Sequence, residues 1–324
     1  MLSQLPSIDE AHEDESLRGY ALRMAQRNGL KGLAGVATIL GCRSMTEWGS
    51  PHIAALARLF GAEPGRLQTI AVRRGVRQGE RSFQLMGQEI SRSWLLRLER
   101  PQLCPACLRA FGYVRADWEL QFVACCRLHG SRLIDTCPTC RKALSWRRTT
   151  LSHCDCGSRF SSLEPDPAAA PASLALTKWV SVRLGLPTSG AFGSDNGASV
   201  SPWAPLRALS LDAALRIVWA LGVRRDSDDH VATGRTHGPI GIRTTEEIIE
   251  RAASRLDAAV RCASGASVGA EIPMHGASVI AVARDGRTAH DREFAGHLLR
   301  VLGERTWQSA RMKDMHPWSQ MELL

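Results

Sequence analysis

Four short motifs carry the chemistry that this sequence can support: Cys104-Pro-Ala-Cys107, Cys126-Arg-Leu-His129, Cys137-Pro-Thr-Cys140 and Cys154-Asp-Cys156-Gly157. Zinc is a borderline-soft ion that takes four thiolate or imidazole ligands in a tetrahedron. Two donors separated by two residues turn back on themselves and meet one ion, and a Pro after the first Cys suits that turn. Eight donors in one stretch predict two zinc ions, with buried free thiols or disulfides as the alternative. Consecutive pairing closes the shorter loops. It makes one site of Cys104, Cys107, Cys126 and His129, and the other of Cys137, Cys140, Cys154 and Cys156; an interleaved cross-brace is the competing arrangement. Cys125 lacks the two-residue gap to His129 and stays outside, and His153 is a spare neighbour of Cys154. With four protein donors each, the sites leave no position for a reactive water and are expected to contribute folding energy without catalysis. There is no Gly-Lys-Ser/Thr phosphate loop, no Gly-x-Ser-x-Gly elbow and no His-Glu-x-x-His pair, so no catalytic residue is assigned.

Basic residues crowd these motifs. The net charge is +9, and the cations are 37 Arg against 4 Lys. Between Arg92 and Phe160 there are twelve Lys/Arg and five Asp/Glu. Arg141, Lys142, Arg147 and Arg148 surround Trp146 inside the second site's loop, and Arg115 lies inside the first. A basic loop with an aromatic suits phosphate contact and base stacking; the alternative is that the cations offset thiolate charge. A second basic run includes Arg73, Arg74 and Arg77. These nine residues are the candidate nucleic-acid contacts. His230 and His237 fall in a polar stretch and read as solvated.

The flanking elements read as helices. Leu17, Tyr20, Ala21, Met24 and Ala25 share one face of a helix over Glu13–Asn28, with acids at its start where the dipole favours them. Further helices are expected over Leu30–Leu40, Pro51–Phe60 and from Pro64 to Ala71, joined by tight Gly turns. That pattern fits a helix-turn-helix or a generic small helical bundle. Val114–Val123 looks extended, with Trp118, Leu120 and Phe122 alternating. Glu164–Pro171 reads as a semi-stiff Pro/Ala linker. Beyond it, helices are expected over Leu174–Leu186, Leu211–Leu221, Glu246–Cys262 with Thr244 or Thr245 as cap, and Arg292–Leu302. The fold class is therefore mainly α with small zinc-ribbon β elements. A helical part, with the character of a helix-turn-helix, spans 1–100; tandem zinc modules span 101–163; a linker spans 164–173; a helical domain spans 174–324. No apolar run is long enough for a bilayer, and the N-terminus is acidic where a secretory signal would be basic. A cytoplasmic protein without membrane contact is expected.

The ordered motifs resemble the TniQ family of bacterial transposition proteins. The resemblance rests on Glu15-Ser-Leu17-x-x-Tyr20-x-x-Arg23-Met-Ala25, then Cys104-Pro-x-Cys107-Leu108, Tyr113-x-Arg115-x-x-Trp118-x-Leu120, Cys126-x-x-His129-Gly130 with Leu133, and the two later half-sites. It covers residues 5–160. It implies a non-enzymatic targeting factor that helps choose the insertion site and recruits an AAA+ ATPase regulator, which engages the transposase; some members bind a DNA site directly, and others dock as a dimer on an RNA-guided Cascade complex. A general zinc-dependent DNA- or RNA-binding regulator is the alternative reading.

Overall fold

The computed structural model describes residues 3–42, 50–77, 80–166, 169–187, 201–224, 240–263, 274–302 and 306–307. Two compact units emerge: Met1–Ser199 with Gly238–Glu246, and Val200–His237 with Glu247–Leu324. His230, His237 and most of the polar stretch around them lie outside the described residues, as does most of the Gly/Ser-rich stretch after Pro187.

In the first unit, α1 spans Leu17–Arg27. It begins later than its apolar period suggested, because Ser16 takes the cap: its Oγ accepts the Gly19 amide at 2.9 Å. The acids before it, Asp14 and Glu15, do not serve the helix dipole; both are buried partners of arginines. Every residue from Leu17 to Ala25 is buried, so α1 runs through the unit. Helix α2, Gly32–Leu40, packs on α1. Gly32 has a positive φ of 58°, and a Cβ there would lie 2.6 Å from the carbonyl oxygen of Arg148. The start of α2 is thus pressed against the second cysteine loop at a point only glycine permits. Helices α3, Ser50–Phe60, and α4, Pro64–Ile70, follow with a tight turn between them. Glu63 caps α4, accepting the Gly65 amide at 2.7 Å.

A three-stranded antiparallel sheet comes next: β1 Arg73–Arg77, β2 Glu80–Leu85 and β3 Gln88–Ile90. Met86 and Gly87 join β2 to β3, both with positive φ (48° and 77°), the mirror-image turn that matches strand twist. Phe83, Leu85 and Ile90 are buried and root the sheet. Helix α5 is Pro105–Phe111. The segment expected to be extended instead makes a 3-10 turn at Ala116–Glu119. Alternation presumes one wet face, but every residue from Tyr113 to Arg127 is buried, so the turn lets Asp117, Trp118 and Glu119 reach different buried partners. The Pro/Ala segment lies against this body: the Ala169 amide donates to the Gly130 carbonyl at 2.9 Å, and Arg132 reaches Asp166 at 3.0 Å. Pro171 then opens α6, Pro171–Arg183.

The second unit is built on α7, Leu211–Gly222, whose twelve residues are all buried. Helix α8, Ile242–Ala263, starts earlier than expected. Thr245 is not its cap but lies within it, its Oγ1 accepting Gln121 Nε2 at 2.7 Å in the first unit. From Glu247 on, α8 belongs to the second unit. There Ile248 crosses α7 so closely that a Cβ on Gly222 would sit 2.2 Å from the Ile248 carbonyl oxygen. Arg251 and Arg255 donate to the Gly222 and Leu221 carbonyls at 2.7 and 2.6 Å, placing cations at the negative end of α7. A short strand β4, Met274–His275, pairs in parallel with β5, Thr306–Trp307. Between them lie α9, Gly276–Asp285, which the sequence reading missed, and α10, Ala289–Leu302. Asp291 accepts the Ser210 amide at 2.7 Å and the Thr288 amide at 2.9 Å, tying the starts of α7 and α10. The architecture is mixed helical with a small sheet. Among the described residues no helix is long and apolar enough to cross a membrane.

Candidate metal centres and the charged layer around them

The first centre is assembled from a helix start and a hairpin turn. Cys104 occupies the cap position of α5, Pro105 opens the helix, and Cys107 lies in its first turn. Opposite, the Gly130 amide closes on the Cys126 carbonyl at 2.8 Å, so Cys126 and His129 face the same way. Cys107 Sγ lies 3.4 Å from Cys126 Sγ, and His129 Nδ1 lies 3.3, 3.4 and 3.6 Å from the sulfurs of Cys107, Cys126 and Cys104. All four donor atoms fall within 4.8 Å of one another. Tetrahedral zinc with bonds to sulfur near 2.3 Å puts its sulfurs roughly 3.8 Å apart, so the group fits that ion. The three cysteines are fully buried. Hydrogen bonds among the sulfurs drive Cys104 down to about 2, and the same contacts drive Cys126 up. Without an ion, one thiolate is held by its protonated neighbours; for all three sulfurs to ionise, a cation must stand between them.

The second centre is made of two knuckles. The Arg141 amide donates to the Cys137 carbonyl at 2.8 Å, with Arg141 at positive φ, and the Gly157 amide donates to the Cys154 carbonyl at 2.9 Å. Cys137 stands 3.8 Å from Cys156, and Cys140 stands 3.7 Å from Cys154. The grouping of donors is consecutive in both centres. Cys137 is buried, Cys140 and Cys154 are half-buried and Cys156 is exposed. Nearby, Arg148 is buried and donates to the Ser145 and Thr150 carbonyls at 2.9 and 3.1 Å, while its Nη2 has no partner. Burial pushes it down to about 10, partly offset by Asp155 and Cys154. A buried guanidinium with no carboxylate on it fits a tetrathiolate zinc, which carries net negative charge. Cys125 stands apart, bonded to Thr177 Oγ1 at 3.2 Å and pushed by burial up to about 12. His153 turns to Ser152 at 2.9 Å.

Between α1 and the first centre lies a layer of buried charge. Asp14 accepts Tyr113 Oη at 2.7 Å and is bonded by both Arg115 and Arg127. Glu15 takes Arg23 through Nε at 2.8 Å and Nη2 at 2.7 Å. Arg18 reaches Glu119 at 3.0 Å. Asp117 is fully buried, 3.7 Å from Arg127 Nε, and neither of its oxygens has a hydrogen-bond partner. Burial pushes Asp117 up to about 6 against the pull of Arg127 and Arg115. Its folded pKa therefore exceeds its unfolded value, so the native state gains from protonation. That contribution is complete below about pH 4 and is lost as pH rises through about 6. In zinc-saturated buffer, Asp117→Asn is expected to show a different slope of urea midpoint against pH across this window, by the amount this single site contributes. Identical slopes in parent and variant would mean that Asp117 does not titrate there.

The candidate nucleic-acid contacts divide. Arg141, Lys142 and Arg147 are exposed, Arg74 is exposed, and Arg73 is half-buried with its Nη2 on Gln84 at 2.9 Å. Arg77 lies in β1, and its side chain is outside the described residues. Arg115, Trp146 and Arg148 are corrections: they are 3%, 5% and 2% exposed. Arg115 is committed to Asp14, Trp146 packs under Arg148, and neither cation is presented to a ligand. A cavity of about 870 Å³ opens beside the loop, lined by Arg18, Leu33, Ala37, Arg100, Trp146 and Arg147 among others. The residues that sequence reasoning missed are Asp14 and Glu119, whose partners lie about a hundred positions away, and Asp117, which is buried beside Arg127.

Residues 6–133 match the family model TniQ. The match takes in α1 to α5, the sheet, the buried charge layer and the whole first centre, and ends before Cys137. No curated protein matches the chain.

Proposed function

With residues 6–133 belonging to the TniQ family, whose members are transposition-associated, we propose that this chain is a target-selection adaptor. It binds a DNA site or a target-recognition complex such as an RNA-guided Cascade, and it recruits an AAA+ regulator that engages the transposase. Cys104, Cys107, Cys126 and His129 hold one structural zinc, and Cys137, Cys140, Cys154 and Cys156 hold a second, as tandem modules. The helix pair α3–α4, joined by its tight turn, supplies a helix-turn-helix, and the protein works in the cytoplasm as a dimer without catalytic residues.

The observation that carries this reading is the coincidence of the family match with one continuous buried construction. The N-terminal helix, the Tyr113/Arg115/Trp118 segment and the first donor cluster are tied together by Asp14. Such a body offers a stiff platform with its free cations outside, at Arg141, Lys142 and Arg147. The decisive experiment deletes the gene in a strain carrying its transposon and its neighbouring genes. Targeted insertion should fall to background and return with the intact gene. Unchanged insertion, together with duplex binding by the purified protein, would favour a general zinc-dependent regulator instead. In the purified protein, Arg141→Gln, Lys142→Gln and Arg147→Gln combined should lower the slope of log affinity against log salt by about 2 to 3 units, with the melting temperature kept. An unaltered slope would remove this loop from the DNA contact.

A further inference from the structure

The ribbon formed by β1 and β2 lies outside both metal centres and carries an unusual surface. Val76 is 76% exposed, the most exposed large apolar side chain among the described residues. In the strand register Val76 lies opposite Arg81, and Arg74 lies opposite Phe83. Opposed residues of an antiparallel pair share a face, with Cβ atoms about 4.5–5.5 Å apart. One face of the ribbon therefore runs from buried Phe83 at its root to Val76 at its outer end, with Arg74 and Arg81 beside Val76 and both exposed. Folding does not require an apolar residue there, since Val76 buries almost nothing.

A single valine is far too small to anchor a protein interface, which needs roughly 800 Å² per partner. Its surroundings are those of a nucleic-acid wedge. Arg74 leaves from β1 and Arg81 from β2 as a diagonal pair, about 7–8 Å apart on one face. Their long side chains can reach the two walls of a minor groove about 6 Å wide. Apolar side chains inserted between base steps, with basic side chains at the groove beside them, are how proteins kink a duplex from that groove. We propose that the β1–β2 ribbon is a duplex-deforming wing, with Val76 as the wedge and Arg74 and Arg81 as its phosphate clamps. The inference rests on the DNA-binding reading above and adds to it a groove, a wedge and a bend.

The test uses the full-length, zinc-loaded protein and a 40-base-pair mixed-sequence duplex with a fluorophore at each end. Affinity is read by titration at several salt concentrations and bending by energy transfer. The unaltered protein should shorten the end-to-end distance. Val76→Ala should bind within a few-fold but restore the distance towards that of free DNA. Arg74→Gln with Arg81→Gln should lower the salt slope by about two units. All three positions are exposed, so the variants should melt with the parent. If the parent does not bind duplex DNA even at low salt, the DNA-binding reading falls and this inference with it. If the parent binds and Val76→Ala bends the duplex as the parent does, only the wing is overturned. Preference for single strands or RNA of the same sequence would overturn it equally.

Discussion

Cys104→Ser is expected to destabilise the protein by more than about 4 kcal/mol, with Cys156→Ser costing clearly less. The asymmetry follows from burial. Cys104, Cys107 and Cys126 are fully enclosed, so losing the ion there leaves buried thiolates that must take up protons, and it releases the cap of α5 together with the turn at Gly130. The second centre is open at Cys156, and water can reach the freed donors. Chelation should follow the same order, with a chelator such as EDTA stripping the second ion first and the first only under denaturing conditions. Acid should do likewise. Protons compete for thiolates as pH falls, and the exposed centre has the weaker barrier to exchange. Elemental analysis of chelator-free protein should give two zinc equivalents, falling to one in either variant. A Cys104→Ser protein that melts with its parent would show that no structural ion sits at the first centre.

How far these features could be read in advance depended on their range along the chain. A metal site built from half-sites whose donors are separated by one or two residues prints its whole donor set locally, and the structure gathers the eight donors that the spacing singled out. The helices α2, α3, α4 and α7 were legible because each keeps an apolar period of its own. The sheet was not. Arg73-Arg-Gly-Val-Arg77 lacks alternation, and the turn that defines β2 and β3 uses Met86, not Asn or Asp, at positive φ. The charge layer was illegible for a different reason. Asp14 and Glu15 stand before a helix, where acids are commonplace, and nothing nearby reveals that Arg115 and Arg127 wait at separations of 101 and 113 residues. Arg148 was misread for the same cause: a local run of cations looks solvated until the fold shows which one is inside. The Tyr113-x-Arg115-x-x-Trp118 signature gains a physical meaning here, since two of its residues bind Asp14 and the third is core.

That meaning makes Asp14 the second position of large effect. Its carboxylate is the shared acceptor for Tyr113, Arg115 and Arg127, all within the unit. Asp14→Ala leaves two guanidinium groups buried and less compensated, a defect that costs about 3–5 kcal/mol, or roughly 10 °C in melting temperature for a body of this size. Tyr113→Phe removes one neutral donor and should cost only about 1 kcal/mol. Asp14→Asn separates charge from shape: it keeps an acceptor for Tyr113 but removes the charge that both arginines face, and so should fall nearer to Ala than to the parent. A cycle of Asp14→Ala with Arg115→Met gives the coupling directly. The double variant should be less damaged than the sum of the two single ones, because each change relieves the partner the other leaves stranded. Because the layer joins α1 to the first centre, Asp14→Ala should also release the first zinc to chelator at lower denaturant. Additive costs and unchanged zinc retention would mean that the layer is a set of independent pairs, and that the N-terminal helix and the metal centre are held together by apolar packing alone.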